Sequence, residues 1–253
     1  MKKMLQFARY EYRMANRRWG VWVAYGLVGI FYLVSSISFP EDEMPTVTRE
    51  LLWQTAGNTA FMLNIFLPVV AGILASDRMV RDRKLDVREL QESTTLSRWG
   101  YLLGKFGAIT ASVLTPVLLL EMLIAVLLAA AGMPITIIPL TLLAFLGINL
   151  PAYAFLTVFS LACPLIMPLR VYQVLYTGYW FWGNFLNPDV VPNLSRTLLT
   201  PSGKYVNAAF FGGQIGGAST PTTAILNLLV LAGCILAALV VTERYFAWKA
   251  RRA

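Results

Sequence analysis

Glu121 stands inside the apolar run "FGAITASVLTPVLLLEMLIAVLLAAAG", residues 106–132. An acid in the middle of a bilayer costs about 2.5–3.5 kcal/mol on insertion scales, so it should face a protein interior or a cavity. Three chemistries suit it: binding a cationic group, coupling to protons, or a hydrogen bond to a neighbouring helix through a residue such as Asn149 or Asn227. Asn58, Asn64, Asn149, Asn184 and Asn227 also fall in or near apolar runs, where amides commonly bond across helices. The aromatic run Tyr176, Tyr179, Trp180, Phe181, Trp182 offers an amphiphile-binding surface, an interfacial belt or a subunit interface. Glu121, Asn149, Tyr179 and Trp180 are therefore the candidate substrate pathway.

Enzyme chemistry has little to work with. The 253 residues contain no histidine, which removes His-based triads, His-ligated zinc and His proton relays. Cys163 and Cys234 both lie in apolar runs and read as small core residues. There is no G-x-S-x-G and no metal-ligand cluster. The nearest approach to a Walker A loop is "GYLLGKF", Gly100 to Phe106. It is one residue short between the glycines and has Phe106 where Ser or Thr must ligate magnesium. The chain is thus expected to be no enzyme and to bind no cofactor of its own.

The most charged stretch, 77–105, carries seven Lys/Arg and five Asp/Glu between two apolar runs. Asp77/Arg81, Arg78/Asp82 and Arg88/Glu92 have the i,i+4 spacing of helical ion pairs. Met79, Val80, Val87 and Leu90 supply a partial apolar stripe. "ESTT" at 92–95 breaks the pattern, and Ser97 is placed to cap a helix beginning at Arg98. The expectation is a helix at the membrane face, a turn, and a return into the bilayer. Mixed charge with apolar patches suits a protein partner better than lipid or solvent.

The elements that position these residues follow from hydropathy. With 57% hydrophobic and 13% charged residues, the chain reads as an all-α integral membrane protein. A span takes about 20 apolar residues, which predicts six: 19–39, 57–76, 102–131, 137–165 (interrupted by Pro139 and Pro151), the aromatic 171–187, and 222–242. Of the 21 basic residues, 18 fall in segments on one side of such a topology. By the positive-inside rule both termini are cytoplasmic and the protein is a multi-pass component of the cell membrane. The net charge of +8 then reflects membrane anchoring and not nucleic-acid binding. Residues 1–18 place Met4, Leu5, Ala8, Tyr12 and Ala15 near one face, which predicts an interfacial amphipathic helix ahead of one transmembrane domain, 19–253. The Pro- and Gly-rich stretch 188–221 is either an external loop or short helices dipping into the outer leaflet.

The stretch 75–106, "ASDRMVRDRKLDVRELQESTTLSRWGYLLGKF", resembles the cytoplasmic loop of the type-2 ABC transporter permeases. That loop has an acidic-basic helix, a small-residue turn and an "LGK" entering the third span; they correspond here to 81–90, 94–98 and 103–105. The chain departs at Thr95, where Pro is common, and at 86–87, where Gly-Thr is common. The resemblance implies two permease copies, identical or homologous, paired with two copies of a separate ABC ATPase that binds ATP and magnesium. It implies a coupling helix over 81–92, with Arg81, Lys84, Val87, Arg88, Leu90 and Glu92 meeting the ATPase and Arg170 as a second contact. Residues 2–18 would be the connecting helix. Family habit makes the cargo amphiphilic: a drug, an antimicrobial peptide or a lipid-like molecule. An exporter permease is the leading expectation, and an immunity component clearing a toxic peptide would look the same. An ATP-independent carrier or channel using Glu121 is the alternative, although paired broken helices in two related halves are not evident.

Overall fold

The computed structural model describes residues 2–17, 19–37, 47–85, 96–213 and 219–251. Among them every regular element is helical. The elements are α1 (Lys2–Asn16), α2 (Trp19–Ile37), α3 (Arg49–Lys84), α4 (Arg98–Ala130), α5 (Ile137–Ala144), α6 (Leu150–Ala162), α7 (Leu169–Asn184), α8 (Lys204–Phe211) and α9 (Pro221–Ala250). Four described helices are long and apolar enough to cross a membrane: α3, α4, the run Ile137–Leu165 and α9. This fits a transmembrane protein. The six expected spans are thus matched by length and hydropathy at four places. The apolar helix over Trp19–Leu33 is shorter, and α7 has 16 residues, about 24 Å at 1.5 Å per residue.

Helix ends follow local chemistry. The Ser97 hydroxyl accepts from the Gly100 amide at 3.0 Å, so α4 starts at Arg98 as the sequence implies. Thr48 and Thr220 cap α3 and α9 in the same way. At 36 and 33 residues, α3 and α4 exceed a hydrocarbon core of about 30 Å. The excess of α4 lies at its charged start, 98–105, and that of α3 at both ends, 49–56 and 77–84, so the segment after the second apolar run continues α3 in one piece.

Three apolar clusters stack along the bundle. At one end, here the basic end, Ala15, Met79, Tyr101, Leu161 and Leu239 pack together. The middle holds Tyr25, Leu67, Val117, Tyr153 and Trp180. At the opposite end Ala56, Ile148, Val206, Phe211 and Ala224 form the third. The N-terminal helix and the C-terminal part of α9 therefore share the basic end.

Prolines shape both long irregularities. Pro139 sits in the first turn of α5, where its missing N–H is harmless. Before Pro151 the helix widens into a π turn, Phe145–Asn149, which takes up the ring without ending the helix. Pro68 is inside α3, where a proline disturbs the backbone ladder around it. Side chains from two neighbours bond to that stretch. Tyr32 of α2 donates to the Met62 carbonyl (2.6 Å), and Trp180 and Tyr176 of α7 donate to the Ile65 (3.0 Å) and Pro68 (2.7 Å) carbonyls. In an apolar surround such donors are what makes a broken ladder tolerable. Gly72 makes room, since a Cβ there would sit 2.2 Å from the Tyr176 ring.

Candidate functional sites

The first site is an ion cluster at the basic end. Lys105 of α4 is fully buried. Its ammonium bonds Asp82 near the end of α3 and lies 3.2 Å from Glu11 of α1. The Tyr101 hydroxyl also donates to Asp82. Arg78, likewise buried, lies 3.4 Å from Asp77. One lysine thus joins three helices that are distant in sequence.

The rest of the α1–α4 contact follows from that anchor. Tyr12 and Thr115 share a hydrogen bond at 2.9 Å, and Ser112 donates to Asn16 at 2.7 Å. The Phe7 and Tyr101 rings stand 5.3 Å apart. Gly104 lets α1 approach, since a Cβ there would lie 2.9 Å from Phe7. The packed face of α1 therefore runs through Met4, Phe7, Glu11 and Ala15, and Leu5, expected on the apolar face, is 70% exposed. Helical spacing located a face, but Lys105 rotates the helix so that its acid, and not Leu5, points inward.

The second site is in the middle. Glu121 is fully buried, and neither carboxyl oxygen has a hydrogen-bond partner among the described residues. The amides expected to meet it are used elsewhere. Asn149 donates to Asn64 (3.0 Å) and to the Ala60 carbonyl (3.1 Å), and Asn227 donates to the Leu198 and Thr200 carbonyls at 2.8 and 3.0 Å. The π turn is the reason for the first, because it points Asn149 at α3. Glu121 lies on α4 between Val117 and Ile124, which pack in the middle cluster with Tyr25, Tyr32, Tyr153 and Tyr176. The hydroxyls of Tyr25 and Tyr153 are buried and also have no hydrogen-bond partner among the described residues.

The third site is an amide network at the opposite end. Asn64 donates to the Ser202 carbonyl (3.2 Å), and Thr200 donates to Asn184 (2.6 Å). Asn207 of α8 donates to Asn58 of α3 at 3.1 Å. Together with Asn149 and Asn227 these bonds stitch the segment after α7 into the bundle. Thr200, Ser202 and Asn207 are buried, and α8 is bounded by left-handed Gly203 and Gly212. Over the described residues 188–213 the structure shows a packed segment with one short helix, α8. On its exposed surface the two terminal guanidinium nitrogens of Arg196 donate to the Asp189 carboxylate at 2.7 and 2.8 Å. Burial, and secondarily the charge of Arg196, pushes the Lys204 ammonium below its ordinary range. We expect a double-mutant cycle of Asn64→Ala and Asn149→Ala to show a coupling of about 0.6 kcal/mol and at most about 1.7, the average and maximum for polar hydrogen bonds between membrane helices. Additive losses in detergent unfolding would mean the 3.0 Å bond contributes nothing.

Comparison with protein-family models and with curated proteins finds no match. What the chain does must be read from these sites.

The sequence-derived coupling residues divide in two. Val87, Arg88, Leu90 and Glu92 lie outside the described residues. Arg81 lies half-buried in the last turn of α3 beside the Met14 sulfur (3.9 Å), and Lys84 is exposed at the end of that helix. Arg170 is exposed in the first turn of α7. In the pathway set, Trp180 is fully buried with its N–H committed to α3, which makes it a packing anchor. Tyr179 is half-buried on the same helix. Glu121 and Trp180 both belong to the middle layer, whereas Asn149 belongs to the amide network.

Glu11, Lys105, Tyr25 and Tyr153 were not singled out as site residues by sequence. Lys105 carried a usable signal, since a lysine one turn inside an apolar helix needs an acid. Nothing marked Tyr25 and Tyr153 among eleven tyrosines.

Proposed function

We propose that the chain is the membrane subunit of an ATP-driven exporter of the type-2 ABC class. The observation that carries this reading is the ion cluster at the basic end. Asp82, Lys105 and Glu11 lock the end of α3, the start of α4 and α1 into one unit, with 85–97 as its connecting segment. A partner that displaces this segment pulls on two membrane-length helices and on α1 together. That is the mechanical linkage an ATPase-driven permease needs, since the energy of nucleotide binding must favour one arrangement of spans over another.

In this reading α2 and α7 complete six crossings despite their shorter apolar stretches. Both termini face the cytoplasm of the cell, and two copies pair with two ATPase subunits that supply the ATP and magnesium chemistry. The test is co-purification of the tagged chain with a soluble Walker A ATPase encoded in a neighbouring reading frame. The variant is Val87→Asp/Leu90→Asp, which leaves the buried residues 78–82 intact. A complex with the parent chain that is lost in the monodisperse variant supports coupling through this segment. An unchanged complex removes the coupling-helix assignment, and no complex with the parent chain overturns the ABC reading.

One observation favours a second reading, an ATP-independent carrier: the buried carboxyl of Glu121, which has no hydrogen-bond partner among the described residues. Uptake or efflux by proteoliposomes containing the chain alone, lost in Glu121→Gln, would establish it.

A further inference from the structure

The N-terminal helix turns its one acid inward. Glu11 is buried against Lys105, and 2–17 contains no other acidic residue. The side of α1 turned away from α4 carries Arg9, Arg13 and Arg17, all exposed. Arg17 follows the last residue of α1, and its amide donates to the Arg13 carbonyl (3.1 Å), which keeps it on the helical path. The three arginines therefore form a column at i, i+4 and i+8 spacing. Among the described residues none of their side chains has a hydrogen bond or an ion pair. Like charges at this spacing repel and weaken a helix. The adjoining face offers no relief, because there Arg81 of α3 reaches the Met14 sulfur. Such a face is complementary to an anion that the described residues do not supply.

The depth of the column selects the anion. Phe7 faces Tyr101, Glu11 meets Lys105, and Asn16 meets Ser112. These contacts advance together along both helices, so α1 runs beside α4 in the same general direction and does not lie across it. Ser112 is past the charged start of α4 and inside its apolar run. Arg17, next to Asn16, thus stands at the hydrocarbon edge. Arg9 stands about 12 Å farther out at 1.5 Å per residue. That interval covers a headgroup layer of roughly 5–8 Å per leaflet. Two tryptophans mark the same level. Trp22 donates to the Asn16 carbonyl at 2.9 Å, and Trp19 is 79% exposed. Exposed tryptophan at the start of an apolar helix is the residue of the headgroup boundary.

We propose that the arginine column of α1 is a binding site for an anionic phospholipid in the leaflet at the basic end. The guanidinium groups of Arg13 and Arg17 hold the phosphate, since a guanidinium fork matches a phosphate with two parallel N–H bonds. Arg9 adds positive charge toward the outer part of the headgroup. Charge complementarity selects the lipid class, because a zwitterionic headgroup brings its own cation against the column. Depth selects lipid over an acidic protein, which would have to displace headgroups to reach Arg17. The bound lipid offsets the repulsion along the column and so steadies the helix that Lys105 ties to α3 and α4.

The test titrates the full chain in dodecyl maltoside with phosphatidylglycerol or with phosphatidylcholine of the same chains. Native mass spectrometry reads the occupancy of the first bound lipid. Phosphatidylglycerol is expected to bind about tenfold or more tightly than phosphatidylcholine, the scale of several basic residues acting on one anionic headgroup. Arg9→Gln/Arg13→Gln/Arg17→Gln should abolish that preference. It removes the like-charge pairs and leaves the Glu11–Lys105 contact in place, so the helix is expected to stay folded. Arg170→Gln/Arg244→Gln/Arg251→Gln, which removes the same charge from exposed positions elsewhere at the basic end, should keep the preference. Equal affinity for the two lipids in the parent chain, a comparison that needs no variant, overturns the proposal. So does a preference that survives the α1 triple variant, or one that falls equally in the second. Glycerol phosphate, the headgroup without tails, is expected not to compete. Competition at concentrations equal to the lipid's would mean a soluble-anion site and would overturn the lipid assignment. No ATPase takes part, so this result and that of the co-purification are separate.

Discussion

Lys105→Met is expected to release α1 from the bundle and to lower stability by about 3–5 kcal/mol, the cost of leaving buried charges without their partner. Asp82 and Glu11 would then face each other with the cation between them gone. The loss should appear as a lower Tm in detergent and as faster trypsin cleavage at Arg9 and Arg13, which lie on the exposed side of α1. Lysine removal alone does not separate lost charge from lost packing. The triple variant Lys105→Met/Asp82→Asn/Glu11→Gln does, because a buried ion cluster replaced as a whole costs little or nothing. Recovery of most of the Tm in the triple variant is the expected result. If the single variant keeps the parent Tm and trypsin pattern, the cluster does not hold α1, and the proposed linkage from 85–97 to the spans loses its anchor.

Gly57→Val should expel α8 from the opposite end while leaving the rest of the bundle assembled. A Cβ at residue 57 would lie 2.3 Å from the Phe211 Cβ and 2.4 Å from the Asn207 amide oxygen. The Phe211 Cβ is fixed to backbone and cannot swing aside, so α8 has to move. Overpacking of this kind costs about 1–3 kcal/mol, which raises local opening by roughly 5- to 150-fold. The readout is Val206→Cys, a 3% exposed position, labelled with a membrane-impermeant maleimide after Cys163 and Cys234 are changed to serine. Labelling should be slow in the Gly57 parent and fast in the valine variant. Equal rates would mean that α8 is already mobile and that the bonds from Asn207 and Asn64 do not hold it.

Some elements were legible because their causes are local. Pro151 and Pro139 marked the interruptions of one span, and Ser97 marked where α4 begins. That Asn64, Asn149 and Asn227 bond to other segments was legible as a type, since an amide in an apolar run must find a partner. Which partner it finds was not. Asn149 was a candidate mate for Glu121, but the π turn directs it to Asn64. The i,i+4 spacing of 77–82 correctly described a helix, yet Asp82 serves the next helix through Lys105. The aromatic run of α7 read as a surface, whereas Pro68 on another helix draws Tyr176 and Trp180 inward as donors.

By itself the sequence determined composition, the apolar runs, their breaks and caps, and the concentration of basic charge at the two termini and 77–105. Each depends on a residue and its near neighbours, through helical periodicity, proline geometry and the cost of burying polar atoms. Only the tertiary structure decided that Lys105 meets Glu11, that residues 200–211 fold into the bundle, and that Glu121 is buried with no hydrogen-bond partner among the described residues. Those outcomes depend on helix rotation and on how closely backbones approach at Gly57, Gly72 and Gly104. A turn of one helix by a single residue would exchange every partner without altering the hydropathy pattern.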